Sequence, residues 1–202
     1  MTKQELAHRL KNACAMLVFS EAELSEIDSR FGDADHGLTM VKIAGAISSA
    51  VEQAEGGIQS MLDDVAMEVM VLNGGSAVPL WNAWLDGMQE AAPEEETVDV
   101  SGLKAIFAGG FESLDELSGA KIGDKTMMDA LIPATRAIED YKGSDEKELL
   151  NLAAQAAVQG AEDSKNYVAK FGRAKSYGQK TIGTPDAGAV SMSRFFQGLA
   201  KE

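Results

Sequence analysis

The chain has 202 residues, 45% hydrophobic and 25% charged, the balance of a soluble globular protein and enough to bury a core in one domain spanning 1–202. Its 18 basic and 32 acidic side chains leave a net charge of −14, which argues against a nucleic-acid partner. The longest apolar run, Ala13 to Phe19, is too short for a bilayer, the N-terminus has no signal-peptide layout, and the single cysteine, Cys14, cannot form an internal disulfide; the expectation is a cytoplasmic protein without a membrane partner.

Taken in order, the sequence is a succession of apolar stripes at helical spacing. Residues 3–19 align Leu6, Leu10, Cys14 and Leu17, and Thr2 with Glu5 makes a capping-box pattern. Cys14 lies on that stripe and reads as a core residue. The segment from Glu26 to Gly37 is acidic and glycine-bearing, and reads as a connection. Residues 38–54 form a second helix with Val41, Ala44, Ile47 and Val51 inward, ended by Gly56-Gly57. A third runs from Ile58 to about Leu72 on Met61, Leu62, Val65 and Val69. The small-residue turn Asn73–Leu80 leads into a helix carrying Trp81, Trp84, Leu85 and Met88, and Ala91–Thr97 reads as a polar, mobile connection.

Residues 101–117 continue the pattern through Leu103, Phe107, Phe111, Leu114 and Leu117. After a linker at 118–125, a helix over about 126–142 carries Met128, Leu131, Ile132, Thr135 and Ile138, with Pro133 inside it as a kink. Ser144 or Asp145 caps an alanine-rich helix over 146–169. Gly172–Gly178 breaks the period, and Pro185-Asp186 starts a last helix ending near Ala200, with proline in the first turn and Asp186 complementing the helix dipole. No segment alternates as a strand would, so the fold class is all-α, about eight helices without an internal repeat. A Walker loop is absent, because Gly119–Thr126 lacks the Gly-Lys-Ser/Thr ending.

The chemistry concentrates in the acidic connection, which holds Asp28, Asp33 and Asp35. Asp33 and Asp35 are two residues apart, so their α-carbons lie at most roughly 7 Å apart. Carboxylates about 4 Å apart repel by about 4 kcal/mol at an intermediate dielectric, so a fold that adds the third needs a cation. Carboxylate oxygens suit Mg²⁺, which shares its shell with phosphates, and a helix starting near Gly37 would offer free N–H groups to an anion. A calcium EF-hand fails, since the third ligand position is Gly37 and the twelfth is Ala44. Gly74, Gly75 and Ser76 can offer backbone N–H groups to a phosphate. Between Ser164 and Pro185 five basic residues (Lys165, Lys170, Arg173, Lys175, Lys180) occur without an acid, a local offset to an acidic molecule. These loops read together as a Mg²⁺–nucleotide site.

The same loops carry a family resemblance. Asp28-x3-Gly32-Asp33-Ala-Asp35-His-Gly, Gly74-Gly75 with Pro79, Gly123-Asp-Lys-Thr-Met127, Gly172-Arg173-Ala-Lys-Ser-Tyr and Gly183 through Asp186-Ala-Gly188 occur in the order found in the nucleotide-binding L subunit of bacterial dihydroxyacetone kinases. The chain resembles that family over essentially its whole length. The resemblance implies a barrel of eight antiparallel helices with the ligand site in loops at one end, and a kinase subunit that transfers a phosphoryl group to a short-chain ketose. It implies that Asp28, Asp33 and Asp35 hold two Mg²⁺ ions, and that His36, Gly37, Leu38 and Thr39 line an ADP or ATP molecule beside them. Gly75, Ser76 and Ala77 would meet phosphate and ribose, Gly119 belongs to the same nucleotide-binding set, and Met127 would pack near the base. Arg173 would meet the phosphate side, and Asp186, Ala187 and Gly188 would close the adenosine pocket. No general base is expected from this chain.

The sugar, in such systems, is held by a separate K subunit, so the chain is expected to be half of an enzyme within a homodimer or hetero-oligomer. In some relatives the bound ADP is rephosphorylated in place by a phosphotransferase-system protein, while others exchange ATP. A competing reading is a non-catalytic nucleotide-loaded module that signals to a regulator. Three departures mark this sequence: Ala34 stands where the family has glycine, Ser76-Ala77-Val78 alters the small-residue loop, and Ala187 follows Asp186 where the family has proline. Ala34 narrows the backbone choices between two metal ligands, and Val78 resists a positive φ.

Overall fold

The computed structural model describes residues 1–201, and nine α-helices occur among them. They are α1 (Lys3–Phe19), α2 (Glu21–Ser29), α3 (His36–Gln53), α4 (Ile58–Met70), α5 (Ala77–Glu90), α6 (Val100–Ser118), α7 (Met128–Asp140), α8 (Glu146–Asp163) and α9 (Ala187–Ala200). Two 3₁₀ segments, Ser164–Asn166 and Arg173–Thr181, lie between α8 and α9. Short connections make sequence neighbours pack side by side. The ring runs α1, α3, α4, α5, α6, α7, α8, α9 and back to α1, with α2 lying across α3 and α9. This is the eight-helix barrel expected from the sequence, plus one helix.

The interior is filled rather than hollow. Trp81 and Trp84 from α5, Phe107 from α6, and Phe195 and Phe196 from α9 meet in one aromatic cluster with ring centroids 5.3–6.4 Å apart. Several pairs are edge-on, the arrangement favoured by the ring quadrupoles. Leu6, Leu10, Cys14 and Leu17 bury the α1 stripe as predicted, and burial pushes the Cys14 thiol up to about 11, far from a reactive thiolate. Among the described residues no helix is long and apolar enough to cross a membrane.

Several boundaries differ from the sequence reading, each for a physical reason. An additional helix, α2, fills the stretch after α1 and runs into the acidic segment; its nine residues bury only Leu24 completely, a period too short to register before tertiary packing is known. In α3 the inward set begins at Met40 and Ile43, and Val41 is only half-buried. The Ala91–Thr97 connection is tied down: the Pro93 and Glu95 carbonyls accept from Gln59 N–H (3.0 Å) and Ile58 N–H (2.9 Å). These bonds satisfy donors that the start of α4 would otherwise leave free. Helix α8 ends at Asp163 instead of 169, where the Ser164 hydroxyl turns back to the Ala161 carbonyl at 2.6 Å. Pro185 precedes the N-cap of α9, and Asp186 is that cap, accepting from Ala189 N–H at 2.8 Å. Val78 sits inside α5 and is buried, so its branched side chain meets no positive φ. Leu117, expected in the core, is 57% exposed and faces the cleft described below.

Pro133 lies within an uninterrupted α7. Lacking an N–H, it frees the Asp129 carbonyl from the helical ladder. That carbonyl faces Gly160 of α8, where a Cβ would overlap it. The α7–α8 crossing therefore depends on a bare α-carbon. Gly160→Ala is expected to lower unfolding stability by about 1–3 kcal/mol through overpacking, measured by chemical denaturation.

Candidate functional site

One end of the barrel collects the acidic residues. Asp28 occupies the last turn of α2, and Asp33 and Asp35 follow in the short connection to α3. Gly32 N–H donates to the Asp28 carbonyl at 2.6 Å, and a Cβ at Gly32 would overlap the Asp28 carboxylate, so the chain passes directly over that group. Ala34 takes φ +62°, a left-handed conformation in which a Cβ is strained. Asp35 is the N-cap residue of α3, yet its carboxylate caps no N–H and remains with the other acids.

One ligand oxygen from each of Asp28, Asp33 and Asp35 lies within 4.8 Å of the others. Each pair at about 4 Å repels by roughly 1 kcal/mol in water and about 4 kcal/mol at a protein-like dielectric. Partial desolvation raises the Asp35 carboxyl above its usual range, and the charges of Asp33 and Asp28 push it the same way. Asp28 Oδ2 is buried without a hydrogen-bond partner. A buried, unpaired carboxylate oxygen facing two further carboxylates has the chemistry of a divalent-cation ligand. The donor set therefore fits a hard metal ion.

Basic and aromatic side chains from the segment after α8 face this cluster. The Arg173 guanidinium pairs with Asp33; the two side chains are 67% and 42% exposed, so the pair is wet and contributes at most about 1 kcal/mol. Phe31 and Tyr177 bring the same two segments together with ring centroids 5.1 Å apart. His36 Nε2 lies 3.1 Å from the Ser191 hydroxyl, and burial lowers the imidazole pKa, opposed by Asp28.

The cleft has two lobes sharing a floor. The polar lobe is lined by Asp28, Asp33, Asp35, His36 and Thr39 on one side, Gly75, Ser76 and Ala77 on another, and Arg173, Asp186 and Ala187 on the third. Helices α3, α5 and α9 all start against it, and α3 and α5 start without a side-chain cap. Helix N-termini attract anions. Acids that favour a cation thus stand beside helix ends that favour an anion, the pairing a metal-bound phosphate satisfies. The apolar lobe adjoins it, lined by Leu80, Trp81, Leu117, Met127, Phe171 and Gly188. Gly74 and three of the residues assigned to the nucleotide from the resemblance lie outside both linings. Gly37 packs against the Glu21 carbonyl, Leu38 is 57% exposed, and Gly119 is the left-handed C-cap of α6 at φ +61°.

Two charged residues have no role assigned from the sequence: Lys125, which lines both lobes, and Asp129, which is buried outside both linings. Lys125, 5% exposed, takes φ +62° and donates to the Ser164 carbonyl at 2.6 Å and the Thr184 carbonyl at 2.5 Å. Asp129, 1% exposed, accepts from Gly123 N–H at 2.6 Å and Thr126 N–H at 2.7 Å. Burial pushes the Asp186 carboxyl up to about 7, with Asp129 adding to the rise and Lys125 opposing it. Nothing in periodicity marks Lys125 or Asp129, because both stand in a polar loop and at a helix start where solvated charges are ordinary.

A family model described as the DAK2 domain matches residues 30–201. The D-erythrulose kinase of Mycolicibacterium smegmatis is 35% identical over 182 residues, covering 88% of this chain and 31% of that protein. The chain thus spans about a third of that relative's length. The ADP-binding subunit DhaL of the PEP-dependent dihydroxyacetone kinase of Escherichia coli is 29% identical over 197 residues, covering 93% of this chain and 91% of that subunit. The crystal structure of the dihydroxyacetone kinase from C. freundii in complex with AMP-PNP and Mg²⁺ matches with a TM-score of 0.70 at 24% identity, over 96% of this chain and 33% of that one. At that identity it establishes the likeness of fold.

Two expectations follow from the geometry. Arg173→Gln removes a cation from the acid cluster, so Mn²⁺ affinity read by electron paramagnetic resonance should rise by up to about fivefold. Ala34→Gly relieves the left-handed strain against the greater chain entropy of glycine, and should raise stability by up to about 1 kcal/mol in chemical denaturation.

Proposed function

The chain belongs to the DAK2-domain family, and from that premise we propose that it is the nucleotide-binding, phosphoryl-transferring unit of a short-chain ketose kinase of the dihydroxyacetone kinase type. The observation that carries this reading is the trio of carboxylates within 4.8 Å beside the starts of three helices. The phosphates of ADP or ATP occupy the polar lobe, and the base enters the apolar lobe against Met127 and Leu117.

Asp28, Asp33 and Asp35 would hold Mg²⁺, a role that suits the buried and unpaired Asp28 Oδ2. When bound, Mg²⁺ supplies neutralisation of the charge on the transferring phosphoryl group. The first-turn N–H groups of α3 and α5 orient the phosphate oxygens, and Arg173 turns from Asp33 toward them. Gly75, Ser76 and Ala77 lie along the phosphate chain, and Asp186, Ala187 and Gly188 bound the ribose side. In-line phosphoryl transfer relies mainly on positioning and electrostatics, so these residues suffice without a general base.

The acceptor ketose is held by a K-type sugar-binding unit. The relative from Escherichia coli, itself named as an ADP-binding subunit and aligned along nearly the whole chain, supports this division of labour. So do two exposed apolar groups, Phe19 at the end of α1 and Val71 just past α4, which are 87% and 68% exposed. Exposed large apolar groups commonly mark a contact surface. An erythrulose kinase and a dihydroxyacetone kinase subunit among the relatives favour a four- or three-carbon ketose as acceptor.

Asp33→Asn should abolish Mg²⁺-dependent ADP binding in calorimetry while the helical circular dichroism stays unchanged; undiminished binding would refute the assignment. Denaturing freshly purified, dialysed protein separates two modes. Released ADP supports rephosphorylation in place by a phosphotransferase-system donor, and an empty protein that turns over ATP with a K-type unit supports exchange.

A further inference from the structure

Resting on the nucleotide reading above, we propose that Lys125 is a positioning residue that sets the shape of the base and ribose side of the cleft and is not itself a phosphate ligand. Its ammonium joins three separate segments. Lys125 lies two residues before Met127, and its Nζ donates to the carbonyls of Ser164, just past α8, and Thr184, two residues before Asp186. The Ser164 hydroxyl in turn accepts from the Asp186 N–H at 2.9 Å. The tie therefore ends within two or three residues of Met127, Asp186 and Ala187, which line the cleft.

The chemistry of the side chain suits this role. An ammonium has three donors and no acceptor, so it can satisfy two converging carbonyls that no apolar residue could. The Thr184 carbonyl lies in irregular backbone, and the Ser164 carbonyl also accepts the Tyr167 N–H at 3.2 Å, so the ammonium completes the acceptor capacity of both. Charge around the ammonium is balanced within the protein, with Asp186 and Asp129 as its acidic neighbours. A lysine 5% exposed, with two of its three donors held by backbone carbonyls, is poorly placed to serve as a mobile phosphate clamp. Arg173, 67% exposed and held by one wet ion pair to Asp33, is the more mobile cation of the cleft. The left-handed backbone at Lys125 agrees with a side chain held by its surroundings, since such conformations persist only where the neighbouring structure enforces them.

The discriminating experiment compares wild type and Lys125→Met by displacement of a fluorescent ADP analogue with ADP, adenosine and Mg²⁺-pyrophosphate, alongside thermal melting. A positioning role weakens ADP and adenosine equally, by about tenfold or more, and leaves pyrophosphate within about twofold. Loss of ADP and pyrophosphate with adenosine unchanged would overturn the proposal and make Lys125 a phosphate ligand. Equal weakening of all three, or of none, also overturns it, the former as a global effect that melting would register. Should Lys125→Met not fold, Ser164→Ala removes the hydroxyl that accepts the Asp186 N–H beside the same lysine and donates to the Ala161 carbonyl, and leaves the lysine in place. It is expected to give the same split, and an unaltered adenosine affinity there overturns the proposal. If wild type binds none of the three compounds, the nucleotide reading itself fails, an outcome distinct from the others.

Discussion

The repulsion among Asp28, Asp33 and Asp35 is the constraint around which the rest of the molecule makes sense. Three carboxylates whose ligand oxygens lie within 4.8 Å stay together only because covalent turns and helix packing hold them there. Asp28 is fixed by α2, Asp35 by its place at the start of α3, and Asp33 by a connection too short to let it escape. The protein offsets this in part with its own cation, Arg173, and leaves one buried oxygen unpaired. An arrangement that is unfavourable by itself becomes favourable when a small cation and an anion arrive together. That is the physical basis for reading the cleft as a metal–phosphate site in a molecule of net charge −14.

Around the cluster the backbone departs from comfortable geometry where the site is built. Among the described residues the non-glycine residues with positive φ, Ala34 and Lys125, both stand at the site, one between two acids and the other in the lining of the cleft. The barrel beneath is regular and densely filled, with aromatic rings from α5, α6 and α9 at its centre. The rigid frame holds the strained rim. Helices α3, α5 and α9 begin at that rim, so the same packing that closes the ring also aims their partial positive ends at one point.

Periodicity and punctuation were enough for the frame. The stripes through Leu6–Leu17, Met61–Val69 and Met128–Ile138 were legible because each long helix buries one continuous face. Motif order was enough to bring Asp28, Asp33 and Asp35 under one hypothesis, and spacing placed Ser76, Arg173 and Asp186 in loops that proved to share a cleft. The DAK2 family was legible in the same loops. What periodicity could not supply was α2, whose single buried leucine leaves no repeat to detect, or the end of α8, decided by the Ser164 side chain.

By itself, then, the sequence determined an all-α protein with an acidic ligand cluster and a set of small-residue loops, because helical period and residue type are local properties. Only the tertiary structure decided that Leu117 faces a cleft instead of the core, that Leu38 faces solvent, and that Val78 is helical. It alone decided that Lys125, an ordinary lysine in a polar loop, is buried and bonded to carbonyls 39 and 59 residues away. Burial and long-range hydrogen bonds are set by which segments the closed ring brings together, and no window along the chain contains that information.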